Sequence, residues 1–331
     1  MYQKNNRGGI IMEWKLILAF VLSLALVLIS MKRLIALLHR LKFGQVEREE
    51  GLESHKVKGG TPTMGGIAFV VVPIIVMLIL NPAAFLKMDV MIVMLAYLGY
   101  ALIGFIDDFL IVVKKNNDGL KPRVKFLMQS VLAIVFYFMY QSFSSTAIEI
   151  PVVHISIELG FLYFILVFIM FTAESNAVNL TDGLDGLCAG CSLVVIAPFI
   201  IFSLMQGNYD LAMLLLAVAG AFVGYLKYNL HPAKVFMGDT GSLAIGGLFA
   251  ATAMVLKKEI LLVIIGFIFV MEVLSVMLQV GSFKLRGKRI FLMAPLHHHF
   301  EKKGMKETQV VVMFWCLTVV FAGIGLLLGV I

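Results

Sequence analysis

Charged side chains are scarce in this chain, at 14% of 331 residues against 61% hydrophobic. A soluble domain of that length needs far more polar surface to cover its core, which excludes a soluble enzyme. Cysteine is scarce as well. Of the three present, Cys188 and Cys191 form a C-x-x-C inside an expected membrane helix, with no second ligand pair beside it. Neither a zinc site nor a redox centre has support from that pattern. No internal repeat is evident, which counts against an inverted-repeat transporter. The strict apolar–polar alternation of a transmembrane barrel is missing too.

The sequence does have apolar runs of about twenty residues, enough to cross a hydrocarbon core roughly 30 Å thick. Ten are expected: Lys15–Leu38, Thr63–Leu80, Met88–Ile106, Val124–Phe143, Leu159–Phe171, Leu187–Gln206, Leu211–Tyr228, Thr240–Leu256, Ile260–Gly281 and Gln309–Ile331. The fold class is all-α integral membrane, one polytopic domain over residues 1–331, with residues 1–14 expected as a disordered polar extension. The apolar stretch of the first run is too long for the core of a cleaved signal peptide, and Lys32 and Arg33 follow that stretch. Ile148–Glu158 alternates β-branched and polar residues around Pro151, predicting a small hairpin at the membrane surface.

With both termini placed on one side, 21 of the 27 basic residues fall on the other. The positive-inside rule makes that basic face cytoplasmic, and the termini and hairpin extracytoplasmic. Such a face attracts anionic headgroups or substrates, although topology alone accounts for the bias.

Nearly all the unusual polar residues fall on the same basic face. Asp107 and Asp108 end the third run in GFIDDF. Adjacent carboxylates at a membrane boundary repel each other, and at a helix C-terminus they oppose the macrodipole. A divalent cation relieves this, and Mg²⁺ favours one or two carboxylates shared with substrate phosphate. The run NAVNLTDGLDG (176–186), read as a loop between two spans, offers fixed amide and carboxylate groups on Asp-Gly turns, a surface able to read a planar base. Turn formation alone is the plainer reading of any one of its residues. FMGDTGS (236–242) precedes the eighth span, where glycines and a helix N-terminus would admit a phosphate and Asp239 would hold its metal. HKVKGGTPTMGG (55–66) places Lys58 before another glycine-rich turn. In PLHHHFEKKG, His297, His298 and His299 point about 100° apart if helical. They suit phosphate contact and proton donation better than one tight metal site. Glu272, inside the ninth run, is an intramembrane acid and so a candidate for ion coupling, or for pairing with a buried polar neighbour.

Together GGTPTMGG, GFIDDF, NAVNLTDGLDG, FMGDTGS and PLHHHFE, in this order, resemble the phospho-N-acetylmuramoyl-pentapeptide transferase family of polyprenyl-phosphate sugar-phosphate transferases, over almost the whole chain. The resemblance implies ten spans, a bacterial plasma-membrane location and a cytoplasmic active site. It implies transfer of phospho-MurNAc-pentapeptide from UDP-MurNAc-pentapeptide to undecaprenyl phosphate, giving lipid I and UMP, with Mg²⁺ as cofactor. Membrane lipid and a second copy of the chain are implied partners; nucleic acid is not. Residue by residue, Asp107, Asp108, Asp239 and His297 look catalytic, with Asp239 the principal metal ligand and Asp107 and Asp108 further candidates. Asn176, Asn179, Asp182, Asp185 and Phe236 match the uridine-site pattern. Lys58, Thr63, Lys125, Gly238, Gln279, His298 and His299 match other substrate-contacting positions. One departure stands out: Ile111 occupies a position where the family often has lysine, with Lys114 or Lys115 the nearest substitutes. Direct attack by the lipid phosphate and a covalent aspartyl intermediate both remain open. The rival readings are a related transferase using UDP-GlcNAc and an ion-coupled transporter using Glu272.

Overall fold

The computed structural model describes residues 6–41, 60–114, 119–153 and 155–331. The chain is a helical bundle: α1 (Asn6–Arg40), α2 (Gly66–Leu80), α3 (Met88–Lys114), α4 (Pro122–Gln141), α5 (Phe161–Thr181), α6 (Leu187–Met205), α7 (Tyr209–Asn229), α8 (Gly238–Val255), α9 (Glu259–Ile265), α10 (Phe267–Arg286), α11 (Leu296–Lys302) and α12 (Glu307–Val330). Between α4 and α5 lies the expected hairpin, β1 (Ala147–Ile150) and β2 (Ile155–Glu158), antiparallel with Ala147 opposite Glu158.

Among the described residues, eight helices are long and apolar enough to cross a membrane. α2 is a shorter apolar helix of 15 residues. α8 is enclosed by protein: every residue from Thr240 to Met254 is buried, against α3 on one side and α5 on another. The outer helices reverse this pattern. Ile17, Val21, Leu127, Val131, Val319 and Val320 are exposed, apolar surface that suits lipid and not water.

Local sequence sets several boundaries. Pro122 opens α4 at a position where its missing N–H costs nothing. Asn208 caps α7 by accepting from the Leu211 amide. Gly287, at φ +65°, closes α10 in the left-handed conformation.

Four expectations need correction or refinement. The third span does not end at Ile106; α3 continues to Lys114, so Asp107 and Asp108 sit inside a helix. The apolar residues 109–113 sustain it beyond the first acidic residue. The fifth element is 21 residues long, because α5 carries on through Asn176–Thr181 instead of ending at Phe171. Those polar side chains find tertiary partners, which overrides their preference for turns. The ninth span is broken at Gly266 into α9 and α10. At the other end of the chain, α1 begins at Asn6, within the polar stretch expected to precede the first span.

Candidate active site

α3 and α8 cross closely because Gly104 has no side chain: a Cβ there would overlap the Asp239 carbonyl and the Thr240 amide. The crossing places the acidic pair of α3 against the first turn of α8. Asp108 Oδ1 accepts from the Asp239 amide at 3.0 Å. Its Oδ2 accepts from the Thr240 amide at 2.9 Å and the Thr240 hydroxyl at 2.6 Å. Asp108 therefore caps α8 from another helix. The Asp239 and Thr240 amides, at the helix N-terminus expected to admit a phosphate, both donate to Asp108.

Asp239 is left to face the site. Lys125, from α4, forms an ion pair with its Oδ2. The Asn179 side chain, from α5, donates to its Oδ1 at 2.7 Å and to Ser242 Oγ at 2.8 Å. Asp107 faces both Asp239 and the Lys125 ammonium, and its Oδ1 accepts from the Leu120 amide at 2.9 Å. Thr63 and Asp108 both approach Gly238, whose φ of +70° and crowded position exclude a side chain. A short backbone pairing holds this corner: Phe236 N to Pro62 O at 2.8 Å, Gly65 N to Phe236 O at 2.8 Å and Gly66 N to Met237 O at 3.1 Å.

Asp239 thus pairs with one ammonium, and Asp107 faces both. Lys125 shows that positive charge is accommodated between Asp107 and Asp239, and the hard oxygen donors suit a divalent cation. Lys125 also supplies a positive charge beside the acids in a chain that carries Ile111.

Other expected residues lie on α5 and at the turn between α5 and α6. Asn176 donates to Gln129 Oε1 at 3.0 Å, and Asp182 is the C-cap of α5. Asp185 is buried, its Oδ2 accepting from the Ala233 amide and lying against His231 Nδ1, each at 3.0 Å. His297 reaches the same turn, since a Cβ on Gly183 would overlap its imidazole.

The three histidines find different polar partners, although the His297 and His298 rings pack with centroids 4.2 Å apart. His297 is buried, with Nδ1 3.3 Å from Glu272 Oε1 at ion-pair distance but off the hydrogen-bond axis. His298 meets Glu301 at 2.9 Å. His299 Nδ1 accepts from the Leu292 amide at 3.1 Å. Partial burial, then the nearby Lys303 ammonium, holds His299 below the usual histidine value, consistent with an accepting ring. Gln279 holds the same loop through Phe291 and Ile290. Glu272 accepts from the Leu296 and His297 amides at 2.8 and 3.2 Å, so it caps α11 and resolves as a paired acid. Lys58 lies outside the described residues.

Sequence reasoning missed Thr240, Gln129, Asn229, His231 and Glu307. Only Thr240 stood inside a quoted motif; the others reveal themselves through partners distant in the chain.

The fold and site define a polytopic membrane protein with a buried acid–lysine centre at one end of its bundle. The description Glycosyl transferase family 4 matches residues 90–257, and phospho-N-acetylmuramoyl-pentapeptide-transferase signature 1 matches residues 58–70. A phospho-N-acetylmuramoyl-pentapeptide-transferase of Geobacillus sp. (strain WCH70) is 49% identical over 317 residues, covering 95% of this chain and 98% of the relative. Those of Bacillus velezensis and Bacillus subtilis (strain 168) are 50% and 51% identical, covering 94% and 88% of this chain and 95% and 91% of theirs. The chain belongs to the phospho-N-acetylmuramoyl-pentapeptide-transferase family.

Proposed function

We propose that this protein transfers phospho-MurNAc-pentapeptide from UDP-MurNAc-pentapeptide to undecaprenyl phosphate at the cytoplasmic face of a bacterial plasma membrane, with both termini on the opposite side. One observation carries the reading: Asp239 is held at the start of α8 between Lys125 and Asn179, with Asp107 facing it.

In the reaction an oxygen of the lipid phosphate bonds to the phosphorus bearing the sugar, and the bond from that phosphorus to the oxygen of UMP breaks. Asp107 orients the lipid phosphate and takes its proton where one is present. Lys125 screens the approach of two anions. Asp239, with Asp107, would hold Mg²⁺, which supplies charge neutralisation for the diphosphate. The Asp182–Gly186 turn and Phe236 receive the uridine, and His297 sits against that turn.

A cleft of about 610 Å³ beside α10 supports a lipid phosphate as acceptor, because Val280 and Phe283 line it together with Lys284, Arg289 and Lys302. Apolar wall and basic rim match a polyprenyl chain and its phosphate. Competition between UDP-MurNAc-pentapeptide and UDP-GlcNAc tests the donor. Preferential turnover of UDP-GlcNAc would overturn the assignment.

A further inference from the structure

His231 and Glu307 belong to no motif that the reaction uses, yet both converge on the turn assigned to the nucleoside. His231 Nδ1 lies 3.0 Å from Asp185 Oδ2 and 3.5 Å from Glu307 Oε2. Glu307 divides its oxygens: Oε1 accepts from the Asp185 amide at 2.8 Å, while Oε2 faces the histidine. Asp185 is thereby gripped at its backbone by α12 and at its side chain by the 231–233 segment. The next residue is held as firmly. The Gly186 amide donates to Asn229 Oδ1 at 3.1 Å, and Trp315 Nε1 donates to the Gly186 carbonyl at 3.2 Å.

Two simpler explanations fit less well. An acid in the first turn of α12 would suit its own helix dipole. That helix already starts with a cap, in which the Gln309 side chain accepts from the Lys306 amide at 3.0 Å, and Glu307 turns to the Asp185 amide instead. A metal ion is the other explanation, since the three ligand atoms lie within 4.8 Å of one another. One imidazole N–H between the two carboxylates accounts for the 3.0 and 3.5 Å spacings without an ion.

The clamp also reaches a second wall of the nucleoside site. The segment holding His231 runs on to Phe236, and Asn229 donates to the Val235 carbonyl at 3.0 Å on the way. Turn, aromatic residue and α12 are fastened as one unit.

We propose that His231 and Glu307 are positioning residues that hold the Asp182–Gly186 turn in the shape that binds the uridine end of the donor. The inference rests on the proposed function, which places uridine at that turn. It predicts an effect confined to nucleotide binding.

The test uses the full purified chain. KM for UDP-MurNAc-pentapeptide, KM for undecaprenyl phosphate and kcat are measured for His231→Ala, His231→Asn, Glu307→Ala and Glu307→Gln. UMP affinity is read by calorimetry on the same folded samples. The alanine variants should raise the nucleotide KM and weaken UMP about three- to tenfold, the size of one orienting hydrogen bond. Their kcat and lipid KM should stay within about twofold of the parent. His231→Asn should recover most of the loss, because its amide nitrogen can replace Nδ1, and Glu307→Gln should keep the Asp185 contact. Unchanged nucleotide KM and UMP affinity in both alanine variants would overturn the clamp. So would a fall in kcat alone, or an equal rise in lipid KM. Absence of turnover in the unsubstituted protein would count against the functional reading instead, and UMP affinity would then decide the clamp by itself.

Discussion

Asp108 caps the helix that carries Asp239: its Oδ1 accepts from the Asp239 amide at 3.0 Å, across 131 positions of sequence. The adjacent Asp107 points to the other side of that relationship, toward Lys125 and the Asp239 carboxylate. Of two neighbouring acids, one caps α8 and the other faces the Asp239 carboxylate and the Lys125 ammonium.

The division predicts different phenotypes for the pair. Asp108→Ala should lower stability by about 1–3 kcal/mol, because the Asp239 and Thr240 amides lose their acceptor. Asp107→Ala should remain as stable as the parent within about 1 kcal/mol while losing turnover by about 100-fold or more. Thermal unfolding in detergent, alongside UMP release, separates the two.

Asp239→Ala should abolish turnover in protein that still elutes as folded material. It leaves the α8 backbone in place and removes the carboxylate shared by Lys125 and Asn179. Near-parental activity in this variant would remove Asp239 from the reaction.

Glu272 makes a prediction of its own. Glu272→Ala should cost about 1–3 kcal/mol, since the Leu296 and His297 amides would be left buried without an acceptor. Activity should fall with the order of α11. Glu272→Gln, which keeps a carbonyl acceptor, should retain most of both. Cation flux in the parent that is lost in both Glu272→Gln and Glu272→Ala would speak for ion coupling instead.

Gly104→Ala should disrupt the site from a distance. Its Cβ would meet the backbone of Asp239 and Thr240, forcing α3 and α8 apart at a cost of about 1–3 kcal/mol. Loss of activity should accompany the loss of stability.

Much of this was legible in the sequence, and the limits have physical causes. Apolar run length reports directly on the membrane, so the helices stand close to their expected positions. The glycine-rich start of α8 was legible because Gly-Asp-Thr-Gly carries its own local logic. Lys125 and Asp239 meet across 114 positions, and nothing local in PRVKFL announces that ion pair. Asn176 and Asn179 read as loop residues since Asn favours turns, until Gln129 and Asp239 supply their partners. Asp107 and Asp108 read alike for the same reason: only the crossing at Gly104 tells which one faces inward to α8. Glu272 was visible as an intramembrane acid, but the helix it caps lies 24 residues further on.

The most direct measurement is UMP release by the purified protein with undecaprenyl phosphate, UDP-MurNAc-pentapeptide and Mg²⁺, against an EDTA control and against omission of each substrate. Release that needs both substrates and disappears with EDTA is the expected result. Release without the lipid phosphate, or undiminished in EDTA, would contradict metal-assisted transfer between the two substrates at Asp239.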